Sequence, residues 1–171
     1  MSRSIAEEAI FKDTGDYLTG IRILGELVTG GYLVCHAFCF MPTHYHLYGT
    51  FENISDTMHK LNRRYAMAFN RRHKRRGHVF DSPFKSLEVV TEQHFYALPR
   101  YIALNPDNYE TWPYSSYPGL IGTRPPFSFV DPTPILDAFG SVGAFQAFVD
   151  EGREPSDGQL GSGSAGNRVT P

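Results

Sequence analysis

Residues 32–51 read YLVCHAFCFMPTHYHLYGTF, an apolar, aromatic and β-branched stretch interrupted once by a Met-Pro pair. Such residues favour extended structure, so we predict two strands joined or bent at the proline. Because side chains alternate along a strand, His44 and His46 would share one face while Tyr45 points to the other. Two imidazoles held side by side on a sheet can coordinate one metal ion, although two ordinary strand histidines would have the same spacing.

A second candidate element lies at residues 91–105, which have the apolar periodicity of a helix. Thr91 is a suitable N-cap, and Pro106 would stop the helix. Tyr101 and Asn105 are four residues apart, so they would occupy one helix face and offer a nucleophile and an oxygen ligand together. The alternative is a tyrosine packed into the core and an asparagine that caps the helix end.

Positive charge is concentrated in one segment of a chain whose net charge is only −2. Nine of the sixteen Lys and Arg residues fall within residues 60–85, together with one acid, Asp81, so the segment carries +8. Such a patch neutralises phosphates, and interleaved aromatic rings can stack on unpaired bases, so we favour DNA binding over a merely solvated helix face. The predicted DNA-binding residues are Lys60, Arg63, Arg64, Arg71, Arg72, Lys74, Arg75, Arg76, His78 and Lys85.

The remaining patterns predict an α+β fold. Asp13 or Thr14 would cap a first helix that ends at a Gly-Gly pair, Ser55 would cap a second helix, and residues 84–90 read as a third strand. This order of elements fits an antiparallel sheet with helices packed on one face. Within the first strand, Cys35 and Cys39 would share a face but lie too far apart for a disulfide, so we expect two reduced core residues.

Length and composition limit the number of domains and the cellular location that we expect. A chain of 171 residues with 41% hydrophobic content can build one domain of ordinary size. It contains no run of about twenty apolar residues and no signal-peptide core at the N-terminus, so we expect a cytoplasmic protein without a membrane partner.

Six motifs follow one another along the chain. They are Met-Pro-x-His-x-His at 41–46, Asn-Arg-Arg at 70–72, Gly-His-x-Phe at 77–80, Phe-Lys-Ser at 84–86, Arg-Tyr-Ile-x-Leu-Asn-Pro at 100–106 and Trp-x-x-Ser-Ser-Tyr at 112–117. In this order they resemble the REP-associated tyrosine transposases of the single-tyrosine HUH nuclease superfamily. The resemblance covers roughly residues 10–120, which would form a catalytic domain with a ferredoxin-like or RRM-like core. Residues 121–151 would form a C-terminal extension containing a short helix, and residues 152–171 a disordered tail.

The resemblance implies specific roles. His44 and His46 would bind a divalent metal, Mg²⁺ or Mn²⁺, and Asn105 occupies the position of the family's remaining ligand. Tyr101 would attack a DNA phosphodiester, giving a 5′-phosphotyrosine and a free 3′-hydroxyl. A tyrosine with a pKa of about 10 is about three units from ionisation at neutral pH, a cost of about 4 kcal/mol that a metal or base must offset. Because the covalent link keeps the bond energy, the strand can be rejoined.

The implied function is DNA transposition by a metal-dependent strand transferase, a monomer or homodimer that cuts and rejoins single-stranded DNA near short hairpins. Family members usually begin with another strand beside the histidine strand, yet few residues precede Ile10 here. We therefore expect the sheet to lack its first strand, which would leave backbone groups unpaired and make activity uncertain. The alternative is an inactive, truncated transposase relic that only binds DNA. A different His-x-His metal hydrolase is disfavoured, because the usual barrel scaffold needs about 250 residues.

Overall fold

The computed structural model of the chain describes residues 1–4, 8–81 and 83–153. These residues form an α+β fold, which confirms the predicted class. The elements are β1 (Ser2–Arg3), α1 (Thr14–Thr29), β2 (Leu33–Phe40), β3 (His44–Phe51), α2 (Ile54–Arg72), α3 (Glu92–Ala103), α4 (Tyr117–Leu120), α5 (Thr133–Phe139) and α6 (Val142–Glu151). The predicted tail lies outside the described residues from position 154 onward.

The sheet is antiparallel with the strand order β1-β3-β2. The predicted pair of strands at the Met-Pro turn is confirmed as a hairpin, in which Phe40 pairs with Tyr45. The expectation that the first strand is missing is wrong, because β1 pairs with β3 through Ser2↔Tyr45 and Arg3↔His44. A strand of two residues carries no recognisable apolar pattern, which is why the sequence did not predict it.

The third strand predicted at residues 84–90 is also wrong. This segment is not in a strand, and Leu87 and Val90 are 66% and 71% exposed. Only its beginning adjoins the sheet, where the Lys85 amide donates to the Met1 carbonyl over 2.9 Å. The apolar alternation is therefore not buried, and without burial it supplies little stabilisation to a strand.

Local capping determines where the helices begin and end. The Asp13 side chain accepts a hydrogen bond from the Asp16 amide and Gly30 follows the last turn of α1, as the sequence predicts. α2 begins two residues earlier than expected, at Ile54, because Asn53 rather than Ser55 provides the cap. α3 ends at Ala103, so the predicted helix was two residues too long and Asn105 lies beyond it.

Helices cover both faces of the sheet, so the prediction of a single helical layer is wrong. α1 and α2 pack on the face that carries Phe38, Phe40 and Tyr45, the first core. α3, α5 and α6 pack on the opposite face against Ala37 and Cys39, the second core. The sheet therefore separates two apolar clusters.

A register shift in β2 explains why the prediction that Cys35 and Cys39 share a face is wrong. The pairing of β2 with β3 is irregular between Cys35 and Ala37, and this bulge rotates the preceding residues. Cys35 consequently lies in the first core and Cys39 in the second, on opposite faces rather than one. Both thiols are free and buried as predicted, and burial raises the pKa of each to about 12.

Later parts of the chain cover the outer edge of β2. The Phe40 amide donates to the Tyr114 carbonyl over 2.9 Å, and the Asp131 amide donates to the Cys35 carbonyl over 2.8 Å. These bonds occupy groups that would otherwise invite pairing with another chain. None of the helices in the described part of the chain has the length and apolarity needed to cross a bilayer.

Candidate metal and nucleophile site

The two histidines of β3 lie side by side on the second-core face of the sheet. The ring centroids of His44 and His46 are 4.9 Å apart, and the ring planes are perpendicular. Tyr45, between them, points into the first core and is 2% exposed. The alternation predicted from the sequence is therefore observed.

Both ring nitrogens of His44 have a hydrogen-bond partner. Its Nε2 lies 3.1 Å from Asn105 Oδ1, and its Nδ1 lies 3.0 Å from Thr43 Oγ1. An amide oxygen can only accept, so Nε2 donates to Asn105 and Nδ1 accepts from the Thr43 hydroxyl. Because a hydroxyl can also accept, Thr43 can support the other tautomer, in which Nε2 carries the lone pair that a metal requires.

His46 is 6% exposed, and its Nε2 has no hydrogen-bond partner among the described residues. Burial, together with the neighbouring His44, lowers the pKa of His46 to about 3, so the ring is neutral near pH 7. A buried neutral imidazole with an unpaired nitrogen is costly on its own but suits metal ligation. The site therefore fits a divalent ion held by His44, His46 and Asn105.

The donor set has no carboxylate. Within residues 1–4, 8–81 and 83–153, no group of three or more His, Cys, Asp or Glu side chains is arranged for a metal. Two imidazoles and one amide oxygen are neutral, so they would leave the charge of a dication available to anionic oxygens of a ligand. This chemistry suits an ion that acts on a phosphate.

Tyr101 completes the arrangement from α3. Its ring lies edge-on to His46, with centroids 5.1 Å apart and planes at 90°. The side chain is 56% exposed, whereas its neighbours Ile102 and Ala103 are buried. The phenol is therefore accessible to a large substrate while its ring is positioned against the histidines. Tyr101, Asn105 and the two histidines come together as expected, although Asn105 reaches His44 from the turn after the helix.

Arg3 is a neighbour of the site that the sequence did not reveal. In the pairing of β1 with β3, Arg3 lies directly opposite His44. Burial lowers the pKa of His44, the hydrogen bond that His44 donates to Asn105 opposes this shift, and the Arg3 guanidinium lowers it further. Arg3 therefore places positive charge near His44. Only the pairing of β1 reveals this role.

The predicted DNA-binding residues divide into two groups. Four of the cations form ion pairs: Lys60 with Asp56, Arg64 with Glu26, Arg72 with Asp13 and Asp16, and Arg75 with Glu8. Among the described residues, no ion pair involves the other five, which are all exposed: Arg63, Arg71, Lys74, Arg76 and Lys85. His78 is exposed as well. We call the five unpaired residues the free cations.

The basic helix and the nucleophile lie on opposite sides of the sheet. α2 packs on the first core and α3 on the second. At the β1 edge of the sheet, the Lys85 amide donates to the Met1 carbonyl, and Arg3 lies opposite His44 in the strand pairing.

Comparisons of the chain with protein-family models, with curated proteins and with solved structures found no match, so its function has to be inferred from the site itself.

Proposed function

We propose that this chain is a single-tyrosine transposase of the HUH endonuclease type, which cleaves and rejoins single-stranded DNA near short hairpins. One observation carries the proposal: the exposed Tyr101 phenol stands edge-on to His46 while Asn105 is hydrogen-bonded to His44. Under this proposal, the nucleophile and a metal site of three donors would meet on one surface. The ordered motifs that resemble the REP-associated tyrosine transposases support the same reading.

The reaction is a transesterification. The Tyr101 oxygen forms a bond to phosphorus as the bond between phosphorus and the 3′ oxygen breaks. The phenolic proton passes to solvent, and the departing oxygen takes up a proton to become a 3′-hydroxyl. His44, His46 and Asn105 would hold Mg²⁺ or Mn²⁺, which would supply polarisation of the phosphate and stabilisation of charge on the departing oxygen. The reverse reaction rejoins the strand.

The protein's own groups do the positioning. The ring of His46 limits where the Tyr101 phenol can lie. Arg3, paired opposite His44, adds positive charge beside the phosphate path. The free cations would hold the strand through its phosphates. Such contacts fix the register and orientation of the strand without reading its bases. The proposed partner is therefore single-stranded or hairpin DNA.

A cleavage assay tests the proposal. Hairpins selected from a randomised pool for binding to the protein would be labelled at each end and incubated with Mn²⁺, and covalent adducts would be resolved on denaturing gels. Tyr101→Phe should lose the adduct while its DNA affinity stays nearly unchanged, since only the nucleophilic oxygen is removed. His44→Ala should also lose cleavage, through loss of a metal ligand.

Tyr96→Phe is the matched control. Tyr96 also lies on α3, but its ring packs 5.3 Å from that of Phe139 and away from the histidines. This variant should cut as the parent does. An adduct formed by Tyr101→Phe and lost in Tyr96→Phe would contradict the assignment. A parent that binds the hairpins but never cuts them would instead favour the DNA-binding relic.

A further inference from the structure

Thr43 immediately precedes the first histidine of the candidate metal site and contacts its ring. The Thr43 Oγ1 atom lies 3.0 Å from His44 Nδ1, and both side chains are half-buried. The backbone of Thr43 is fixed by the chain just after β1, because its carbonyl accepts a hydrogen bond from the Ser4 amide over 2.8 Å. A β-branched side chain also has a restricted χ1 angle. The hydroxyl is therefore held in place beside the ring.

The hydrogen bond on the other side of the ring determines where the ring proton lies. His44 Nε2 is 3.1 Å from Asn105 Oδ1, which can only accept, so Nε2 carries the proton and Nδ1 has a lone pair. In this tautomer Nδ1 accepts from the Thr43 hydroxyl. A nitrogen that binds a metal must present a lone pair, so His44 cannot donate to Asn105 and bind an ion through Nε2 at the same time.

Nε2 is the ring nitrogen suited to an ion, because it faces Asn105, the third candidate ligand, whereas Nδ1 faces Thr43. Ligation through Nε2 requires the proton to leave that nitrogen and a proton to be placed on Nδ1, so the ring stays neutral and releases no net proton. The new Nδ1–H group then needs an acceptor, since an unpaired donor is costly away from water. A threonine hydroxyl can accept after rotating about its C–O bond, whereas a valine side chain of the same shape cannot.

We propose that Thr43 is a positioning residue that sets the ring tautomer of His44. Its hydroxyl donates to Nδ1 while Nε2 is bonded to Asn105, and it accepts from Nδ1 when Nε2 binds a divalent ion. The inference rests on the metal site of the proposed function and adds to it a residue that acts only through His44. The outer hydrogen-bond partner of a histidine ligand fixes its tautomer and orientation, and loss of such a partner typically weakens metal binding by about 10–100-fold.

Calorimetric titration of the full chain with Mn²⁺ tests this role. Thr43→Val should weaken Mn²⁺ binding by about tenfold or more, because it keeps the shape and leaves Nδ1–H without an acceptor. Thr43→Ser restores the hydroxyl and should bind Mn²⁺ within about twofold of the parent. Thr50→Val is the matched control: the Thr50 hydroxyl also contacts a histidine, His36, over 3.2 Å, but His36 is not a candidate ligand. This control should bind Mn²⁺ as the parent does.

Nitrogen NMR gives a readout that a purely structural role would not change. Correlation of the imidazole ¹⁵N and ¹H nuclei should place the His44 proton on Nε2 in the ion-free parent and on Nδ1 after saturation with Zn²⁺, a diamagnetic probe that imidazole binds well. An ion-free parent with the proton on Nδ1, or a Thr43→Val variant that binds Mn²⁺ as tightly as the parent, would overturn the role of Thr43 and leave the metal site standing. A parent that binds neither ion would overturn the metal site together with this role.

Discussion

His46 combines burial, a depressed pKa and an unpaired nitrogen, which is an unfavourable state for a histidine unless a ligand completes it. We therefore expect Mn²⁺ at about 100 times its Kd to stabilise the parent by about 2.7 kcal/mol. His46→Leu should show no response to Mn²⁺, because it removes a donor while keeping an apolar side chain in place. Urea unfolding with and without the ion measures both effects.

The control for this experiment is His59→Leu. His59 is an exposed histidine of α2, on the opposite face of the sheet from the site. Its variant should keep the full response to Mn²⁺. Equal stabilisation of His46→Leu and the parent would mean that the ion binds elsewhere.

Lys74 has a strained backbone conformation. It has a φ of 51° directly after the C-cap of α2, and the Arg75 amide donates to the Asn70 carbonyl over 2.9 Å. This is the geometry of a Schellman motif, in which glycine is preferred because a side chain is strained at positive φ. Lys74→Gly should therefore raise the free energy of unfolding by about 0.5–1 kcal/mol, measured in urea.

Lys74→Ala separates strain from charge. Alanine keeps the β-carbon and removes the ammonium group, so its stability should match that of the parent. A stabilised alanine variant, with a glycine variant no better, would attribute the gain to lost repulsion among neighbouring cations instead.

At the scale of elements, the ion pairs of the basic segment indicate which cations remain for the proposed contacts with DNA. If all five free cations contact phosphates of a single strand, log affinity should fall against log salt with a slope of about −3.5. Replacing Arg63, Arg71, Lys74 and Arg76 with glutamine should leave a slope of about −0.7 and weaken all sequences alike. Fluorescence anisotropy across a salt series measures this. A quadruple variant with the parental slope would show that the patch is only solvated surface.

Arg72→Gln is the matched control for that series. Arg72 lies on the same helix, but it donates to Asp13 over 2.6 Å and to buried Asp16 over 2.9 Å, which ties α2 to α1. Its loss should lower the thermal midpoint and leave the salt slope nearly unchanged. The opposite pattern would make Arg72 a DNA contact.

Elements with strong local signals were predictable. Asp13 and Thr91 cap α1 and α3 as expected, because a side-chain acceptor before an apolar periodic run is a local property. Failures occurred where pairing or burial decides the outcome, as in the two-residue β1 and the exposed segment at 84–90. The placement of the two histidines was predictable, since the spacing of His44 and His46 fixes their common face. Arg3 was not, because its position depends on a long-range strand pairing.

At the scale of the whole molecule, the sheet divides the interior into two cores with different tasks. Leu61 is 1% exposed in the first core, and Ile102 is 2% exposed in the second, next to Tyr101. Truncating either to alanine should cost about 2–5 kcal/mol of stability. Only Ile102→Ala should also slow cleavage, at a temperature where both variants are folded, because it loosens α3. Urea unfolding measures the stability, and single-turnover assays measure the cleavage rate. If Leu61→Ala slowed cleavage as much as Ile102→Ala, the two cores would not differ in their roles.

The same division bears on how such a gene would decay. Under the proposed function, cutting would require groups from β1, β3 and the C-terminal end of α3 to meet on one face, whereas DNA binding would require mainly the exposed cations of α2 and the loop after it. Random substitutions would therefore abolish cutting long before they abolish DNA binding. Descendants of an active copy would pass through a stage in which they occupy hairpins without breaking them, and would compete there with intact relatives as natural antagonists of their own mobility.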